Sequence, residues 1–174
     1  MSSHELARVV IAKARHRLTE SAAKIKHCLN QLSDEQLWWR PGASLNSIAN
    51  LVLHLCGNVR QWIVSGVGGR PDVRDRDSEF NARGDVAIPE LTKRLSQTVE
   101  EAAAVIAALS QERLSQRVTI QKYDVSALEA VYHVVEHFSM HAGQILFATK
   151  MMTGEELGFY RHLRSQAPHG QKTP

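Results

Sequence analysis

The chain has 174 residues, enough for one domain with a buried core but too few for two domains of ordinary size. Its 43% hydrophobic and 22% charged residues are typical of a soluble folded protein, and no apolar run approaches the roughly 18 residues of a membrane span. The net charge is +3, and the Lys and Arg residues are interspersed with acidic residues along the chain, which argues against a nucleic-acid partner.

The cysteines and the first residues of the chain bear on its compartment. Cys28 and Cys56 are too few for a disulfide framework and have no CxxC spacing. The first 21 residues carry scattered charges and lack the apolar segment of a signal peptide. We therefore expect a cytoplasmic protein with a small-molecule substrate and no membrane partner.

The first half of the chain predicts two long helices. Apolar residues recur at helical spacing over residues 5–32, and a capping box of Ser33 and Gln36 opens a short turn that Pro41 stops. The second long helix, residues 46–66, carries His54. Residues 67–87 show no sustained period, and a loop of this length is usually functional or a crossover.

The second half predicts two more helices. The third covers residues 89–109 and is followed by "RVTIQKYD", a candidate for a short extended segment. A capping box of Ser126 and Glu129 opens the fourth, which ends near residue 152 before Gly154. Residues 156–163 can dock on the body and 164–174 look like a flexible tail. We expect one all-α domain, residues 1–163, built as a four-helix bundle.

The fourth helix carries three of the nine histidines at intervals of four residues: His133, His137 and His141. Residues four apart share a helix face, so two neighbouring imidazoles can bind one metal ion. The outer two are about 12 Å apart along the axis, whereas a metal–nitrogen bond is about 2 Å, so one histidine of the three must do something else. The spacing leaves both neighbouring pairs open.

A third ligand would have to come from another helix, and His54 within "IANLVLHL" is the natural candidate because it lies at the buried face. Asn58 and Gln144 project from the histidine-bearing faces, where they could support the ligands. The alternative is that these histidines only pack and form hydrogen bonds.

The segments "LVLHL" and "EHFSMHAGQI" resemble the DinB-like superfamily, also called the YfiT-like metal-dependent hydrolases. The chain is especially similar to one branch of it, a domain of unknown function, through "NSIANLVLHLCGNVRQW", "RDRDSEF", "HVVEHFSMHAGQILFATK" and "LGFYRHL", and the similarity extends over about residues 37–163. The resemblance implies a four-helix bundle in 1-2-4-3 order, with helices 2 and 4 adjacent and parallel and a long crossover loop between helices 2 and 3. It also implies a metal site of His54, His137 and His141, with His133 outside it.

Relatives in this superfamily include isomerases and S-transferases that use mycothiol or bacillithiol. The resemblance therefore implies a divalent metal, zinc or nickel, and a low-molecular-weight thiol. A metal-dependent hydrolase and a non-catalytic, metal-stabilised interaction bundle are the alternatives. Arg74 and Arg76 of "RDRDSEF" either lie over the metal cleft and bind an anionic group of the substrate, or belong to a solvated loop. Apolar surface around "LWW" makes a homodimer plausible.

Overall fold

The computed structural model describes residues 2–161. Four long helices form the body: α1 (Ser3–Leu29), α3 (Ile48–Val59), α5 (Ile88–Ala107) and α7 (Ala127–Thr153). Between them lie three short helices, α2 (Asp34–Trp38), α4 (Arg76–Asn81) and α6 (Gln111–Ser115), and two strands, β1 (Arg117–Ile120) and β2 (Tyr123–Ser126). No helix within residues 2–161 has the length and apolarity needed to cross a membrane.

The helix boundaries follow the capping signals in the sequence. Side chains of Ser33 and Gln36 satisfy each other's backbone N–H groups at the start of α2, as do Ser126 and Glu129 at the start of α7. Gly154 ends α7 with a positive φ of 70°, a conformation that glycine adopts without steric cost. These predicted boundaries are confirmed.

The order of the helices in the bundle differs from the predicted 1-2-4-3. Helix α1 packs against α5 and α7, and α3 packs against the same two helices. The second and fourth long helices are therefore neighbours, as expected, but the first and second lie on opposite corners. The connection of residues 30–47, which contains α2, is long enough to carry the chain across the end of the bundle.

The second and fourth long helices are antiparallel, so the expectation of parallel neighbours is wrong. His54 lies beside His141, with ring centroids 5.2 Å apart, whereas Trp62, in the helical continuation of α3 over Arg60–Val67, stacks on His133, at 4.1 Å. Residue numbers therefore rise along α3 as they fall along α7. The antiparallel direction therefore determines which of the α7 histidines lie next to His54.

Helices α3 and α5 are parallel neighbours, as are α1 and α7, in which Cys28 near the end of α1 lies beside Thr149 near the end of α7. Cys56 lies beside Thr98, and further along, a Cβ on Gly68 would touch Val105. Parallel neighbours require a connection that returns along the bundle, and the loop between them, which contains α4, provides it. The predicted crossover between the second and third long helices is thus present, with one short helix inside it.

The extended segment predicted at "RVTIQKYD" is an antiparallel hairpin in which Val118 pairs with Val125. Its two-residue turn has positive φ at Gln121 (52°) and Lys122 (73°), as a type I′ turn requires. The bundle is therefore not purely helical. Because neither turn residue is the glycine or asparagine usual in such turns, the sequence marked this hairpin only weakly.

The hairpin lies against a π-helical continuation of α3, residues Arg60–Val67. A Cβ on Gly66 would collide with the side chain of Ile120, so glycine permits this close approach. The predicted second helix of residues 46–66 is thus continuous in extent but wider in its last turns. The packing of the hairpin brings its turn next to the histidines described below.

The segment after α7 returns to the body, as predicted. Leu157 is buried, and the ring of Phe159 packs edge-on against His27 with centroids 5.1 Å apart. The predicted flexible tail, residues 164–174, lies outside the described residues.

Candidate metal centre

Three histidines from two helices meet in the interior of the bundle. His54 on α3 and His137 and His141 on α7 each offer a ring nitrogen, and these nitrogens lie within 4.8 Å of one another. The Nε2 atoms of His54 and His137 are 2.9 Å apart. Two nitrogens bound to one tetrahedral ion at normal bond lengths are about 3.3 Å apart, so the cluster has the dimensions of a metal site.

Contacts to the outer nitrogens of two rings direct their inner nitrogens into the cluster. The Nδ1 of His141 lies 2.7 Å from Gln144 Oε1, to which it donates, so its Nε2 keeps a lone pair. The Nδ1 of His54 lies 3.1 Å from both Glu79 Oε2 and Arg74 Nη2, and its Nε2 faces His137. Such contacts with carbonyl or carboxylate oxygens fix the tautomer of metal-binding histidines in many proteins.

The environment keeps the α7 imidazoles in the neutral form that can bind metal. Burial, with repulsion from His141, His54, His133 and Arg74, lowers the pKa of His137 to about 4. Burial also lowers the pKa of His141, although its hydrogen bond to Gln144 acts in the opposite direction. Neither ring needs to lose a proton to a metal ion at neutral pH.

A buried ion pair of Arg74 and Glu79 contacts the Nδ1 atom of His54. The side chains of Arg74 and Glu79 are each only 4% exposed, and two hydrogen bonds of 2.7 and 2.8 Å join the guanidinium to the carboxylate. Arg74 Nη1 also donates to Gln61, and Gln61 in turn binds the side chain of Gln121 in the hairpin turn. One chain of hydrogen bonds thus links His54 to the hairpin.

The Arg74–Glu79 pair keeps a carboxylate beside His54. Burial raises the pKa of the Glu79 carboxyl, but the hydrogen bonds and charges of Arg74 and His54 outweigh it and hold the pKa below its ordinary value. A carboxylate that accepts from the outer nitrogen of a ligand histidine orients the ring and raises its basicity. Glu79 is placed to do this for His54.

Gly57, on α3, makes room for this pair. A Cβ there would clash with Glu79 Oε1 and lie 2.9 Å from Arg74 Nε. Two hydrogen bonds hold these side chains together, and moving either side chain aside would disturb them.

We expect Gly57→Ala to destabilise the protein by about 1–3 kcal/mol, the usual cost of overpacking a filled interior. Chemical denaturation monitored by circular dichroism measures this loss. Gly143→Ala is the matched control, because it also lies within a helix and a Cβ there meets nothing within 4 Å. Equal stability of the two variants would show that Arg74 and Glu79 can shift to accommodate the added methyl group without loss of stability.

A cleft of about 490 Å³ opens beside the histidines. Its walls come from α3 and its continuation, α4, the hairpin and α7. The lining residues include His54, Asn58, Trp62, Arg76, Tyr123 and His137. A small molecule in this cleft would touch the histidine cluster directly. The arrangement suits chemistry on a small substrate at a metal ion.

The other predicted site residues have distinct positions. Gln144 binds His141, as described, and Asn58 is buried at the cleft without a hydrogen bond to any histidine. His133 stacks on Trp62 and His137 outside the cluster. Arg74 and Arg76 both line the cleft, but only Arg74 is paired with Glu79.

Sequence reasoning did not single out Glu79 or Gln61. Glu79 belongs to "RDRDSEF", but a glutamate in a charged segment is usually solvent-exposed, and nothing in the periodicity marks this one as buried. The neighbouring Gly57 was the only local signal, because a glycine within a helix can mark a close approach.

The fold and the cluster define a class: DinB-like helical bundles with three histidines placed to hold a metal ion. A DinB-like protein from Bacillus subtilis superposes with a TM-score of 0.65 at 17% identity, over 85% of this chain and 97% of the other. A DinB-like protein from Bacillus cereus gives 0.63 at 12%, over 80% and 89%. A mutant of mycothiol-dependent maleylpyruvate isomerase gives 0.58 at 12%, over 78% and 60%.

Within this class, the sequence identifies a particular family. The family model described as "Protein of unknown function (DUF1572)" matches residues 5–163, and the chain belongs to that family. No curated protein matches the chain by sequence. The resemblance noted in the sequence is therefore confirmed at the level of fold and family.

Proposed function

We propose that the protein is a metal-dependent enzyme that transfers a low-molecular-weight thiol. His54, His137 and His141 would hold one divalent ion, zinc or nickel. The observation that carries the proposal is the meeting of three imidazole nitrogens within 4.8 Å beside a cleft. Three protein ligands and an open position are typical of catalytic metal sites, whereas structural sites are closed by a fourth ligand.

A bound divalent ion would lower the pKa of a water or thiol and so supply a nucleophile at neutral pH. The residues of the chain do the rest. Glu79 and Gln144 orient the rings of His54 and His141. Phe80 packs against the ring of His54, with centroids 4.8 Å apart, and Trp62 supplies an aromatic wall of the cleft.

The thiol would have to come from a small molecule. Both cysteines of the chain are buried, and burial raises the pKa of Cys56 to about 11, with a smaller opposing effect from a hydrogen bond to Thr98. Neither thiol lines the cleft. One structure of similar fold is named as a mycothiol-dependent isomerase, which supports a thiol as the co-substrate. Metal-dependent hydrolysis and a non-catalytic interaction bundle are the alternatives.

Protein purified without a histidine tag should contain about one zinc or nickel ion per chain by elemental analysis. The loaded protein should then join 3-mercaptopropionate to 1-chloro-2,4-dinitrobenzene: a sulfur–carbon bond forms, chloride leaves and the thiol proton passes to solvent. The absorbance of the thioether measures the rate. Metal-free protein should give only the background rate.

Two results would contradict this proposal. Protein that binds neither metal, and whose stability does not change when either is added, would be an interaction bundle in which the histidines only pack. Protein that binds metal and cleaves p-nitrophenyl acetate without transferring the thiol would be the hydrolase. A rate that is the same with and without metal would exclude metal-dependent transfer.

A further inference from the structure

The charge of Arg74 is neutralised inside the protein. Its guanidinium donates to both carboxylate oxygens of Glu79 and to Gln61, and its side chain is buried. Because the carboxylate of Glu79 already balances this charge, a substrate anion would gain little from Arg74. Arg74 is therefore a positioning residue and leaves no free charge for the cleft.

The acidic group on the hairpin side of the cleft is already paired. Glu129 lines the cleft there, but it accepts from the N–H of Ser126 and pairs with Arg117, which also pairs with Asp124. These side chains are exposed, so solvent also screens their charges.

Arg76 is the remaining charge of the cleft. It is exposed and has no ion-pair partner within residues 2–161, although Asp75 and Asp77 flank it in sequence. Its guanidinium lies over the ring of Phe80, 4.8 Å from the centroid, and Phe80 in turn packs against the ring of His54. Stacking on an aromatic face restrains the guanidinium while its N–H groups stay free.

Asn58 supplies a second unsatisfied polar group in the same cleft. Its side chain is 5% exposed, and its Oδ1 is buried with no hydrogen-bond partner among the described residues. No described residue bonds to its Nδ2 either. Because Nδ2 has no partner among these residues and is not among the fully buried atoms, it can donate a hydrogen bond to a ligand in the cleft.

From these contacts we infer that the cleft selects thiols that carry a carboxylate, which binds Arg76 while the sulfur faces the three histidines. A planar carboxylate matches the guanidinium fork. One uncompensated guanidinium also balances one charge, whereas a phosphate monoester carries about −1.5 to −2 at neutral pH. This inference rests on the proposed function, because the histidines must hold a metal for the sulfur to bind there.

Three small thiols of similar size test the inference with cobalt-loaded protein, in which thiolate binding produces a charge-transfer absorption. They are 3-mercaptopropionate (anionic), 2-mercaptoethanol (neutral) and cysteamine (cationic). Arg76→Ala should raise the Kd of 3-mercaptopropionate about tenfold. This effect is moderate because solvent partly screens the hydrogen-bonded pair of the ligand carboxylate and the Arg76 guanidinium. The Kd of 2-mercaptoethanol should stay within about twofold, and that of cysteamine should not rise. For each thiol, the Kd of the variant is divided by the Kd of wild type, and this ratio removes the effect of the different pKa values of the three thiols.

Arg70→Ala is the matched control, because Arg70 is an exposed arginine with no side-chain contact to the cleft. It should change none of the three Kd values. Arg76→Lys should recover part of the affinity for 3-mercaptopropionate, because it keeps the charge but loses the fork. An equal effect of Arg76→Ala on the anionic and neutral thiols would overturn the inference.

A second measurement separates this inference from the proposed function. The Nε–H resonance of Arg76, assigned by its loss in Arg76→Ala, should shift in metal-free protein when 3-mercaptopropionate is added and not when 2-mercaptoethanol is added. If the Arg76 resonance shifts but the protein binds no cobalt, the anion subsite is supported and the proposed metal site is wrong. Cobalt binding without this shift, and without thiol selectivity, would overturn the subsite and leave the metal site intact.

Discussion

His54→Ala should reduce the bound metal from about one ion per chain to none that survives dialysis. The change removes the only α3 nitrogen of the cluster and leaves His137 and His141, which lie on one helix and cannot enclose an ion from two sides. Losing a residue that only orients a ligand already costs about 10–100-fold in metal affinity, and the loss of a ligand itself should cost more. Elemental analysis and competition with a chromogenic chelator measure stoichiometry and affinity.

His133→Ala is the control for this experiment. It lies on the same helix, one turn from His137, and stacks on Trp62, but it is not part of the cluster. We expect this variant to keep about one metal ion per chain. A His54→Ala protein with full metal content, or equal losses in both variants, would show that the ion is bound elsewhere.

Arg74→Met should destabilise the metal-free protein by about 3–5 kcal/mol at neutral pH, because it leaves the buried carboxylate of Glu79 without its partner. The side chains of both residues are almost inaccessible to solvent, so water cannot replace the guanidinium. Urea denaturation of metal-free wild type and variant gives the difference in the free energy of unfolding.

The double variant Arg74→Met with Glu79→Leu is the matched control. A buried ion pair and an apolar pair of similar volume often give similar stability, so the double variant should recover most of the loss. It should nevertheless bind metal more weakly than wild type, because His54 loses its carboxylate partner. If Arg74→Met alone were as stable as wild type, the carboxylate would have found another partner or reached solvent.

The effect of Arg74→Met should depend on pH. In wild type the folded-state pKa of Glu79 lies below its ordinary value of 4.5, so the pair stabilises the fold above that value and its contribution is lost as the pH falls through the lower folded pKa. In the variant, burial without Arg74 raises the pKa of Glu79. The difference between the two proteins should therefore shrink as the pH is lowered from 7 toward 4.5.

The parts of the fold that could be predicted are those set by local rules. The apolar period and the capping boxes at Ser33 and Ser126 located the helices, because each helix must satisfy its first N–H groups with nearby side chains. The hairpin was marked only as an extended segment, since its turn residues, Gln121 and Lys122, are unusual for a type I′ turn. The homodimer and the cytoplasmic location stay predictions.

The candidate site divides in the same way. The interval of four between histidines follows directly from helix geometry, and it allowed either pair on α7 to meet a third ligand. The antiparallel packing of α3 on α7 brings His54 to His137 and His141 and leaves His133 on Trp62. Helix direction and order depend on contacts between residues far apart in sequence, which no local pattern records.

Residue patterns alone predict the four long helices, most of their ends and the face that carries the histidines, because these depend on residues within a few positions of each other. The burial of Glu79 beside His54, its neutralisation by Arg74 and the free guanidinium of Arg76 at the cleft follow only from how distant parts of the chain pack together. Two arginines two residues apart in one charged segment thus differ completely in role. Their difference comes from burial, which fixes the cost of leaving a charge unpaired and is set by the packing of the loop on α3.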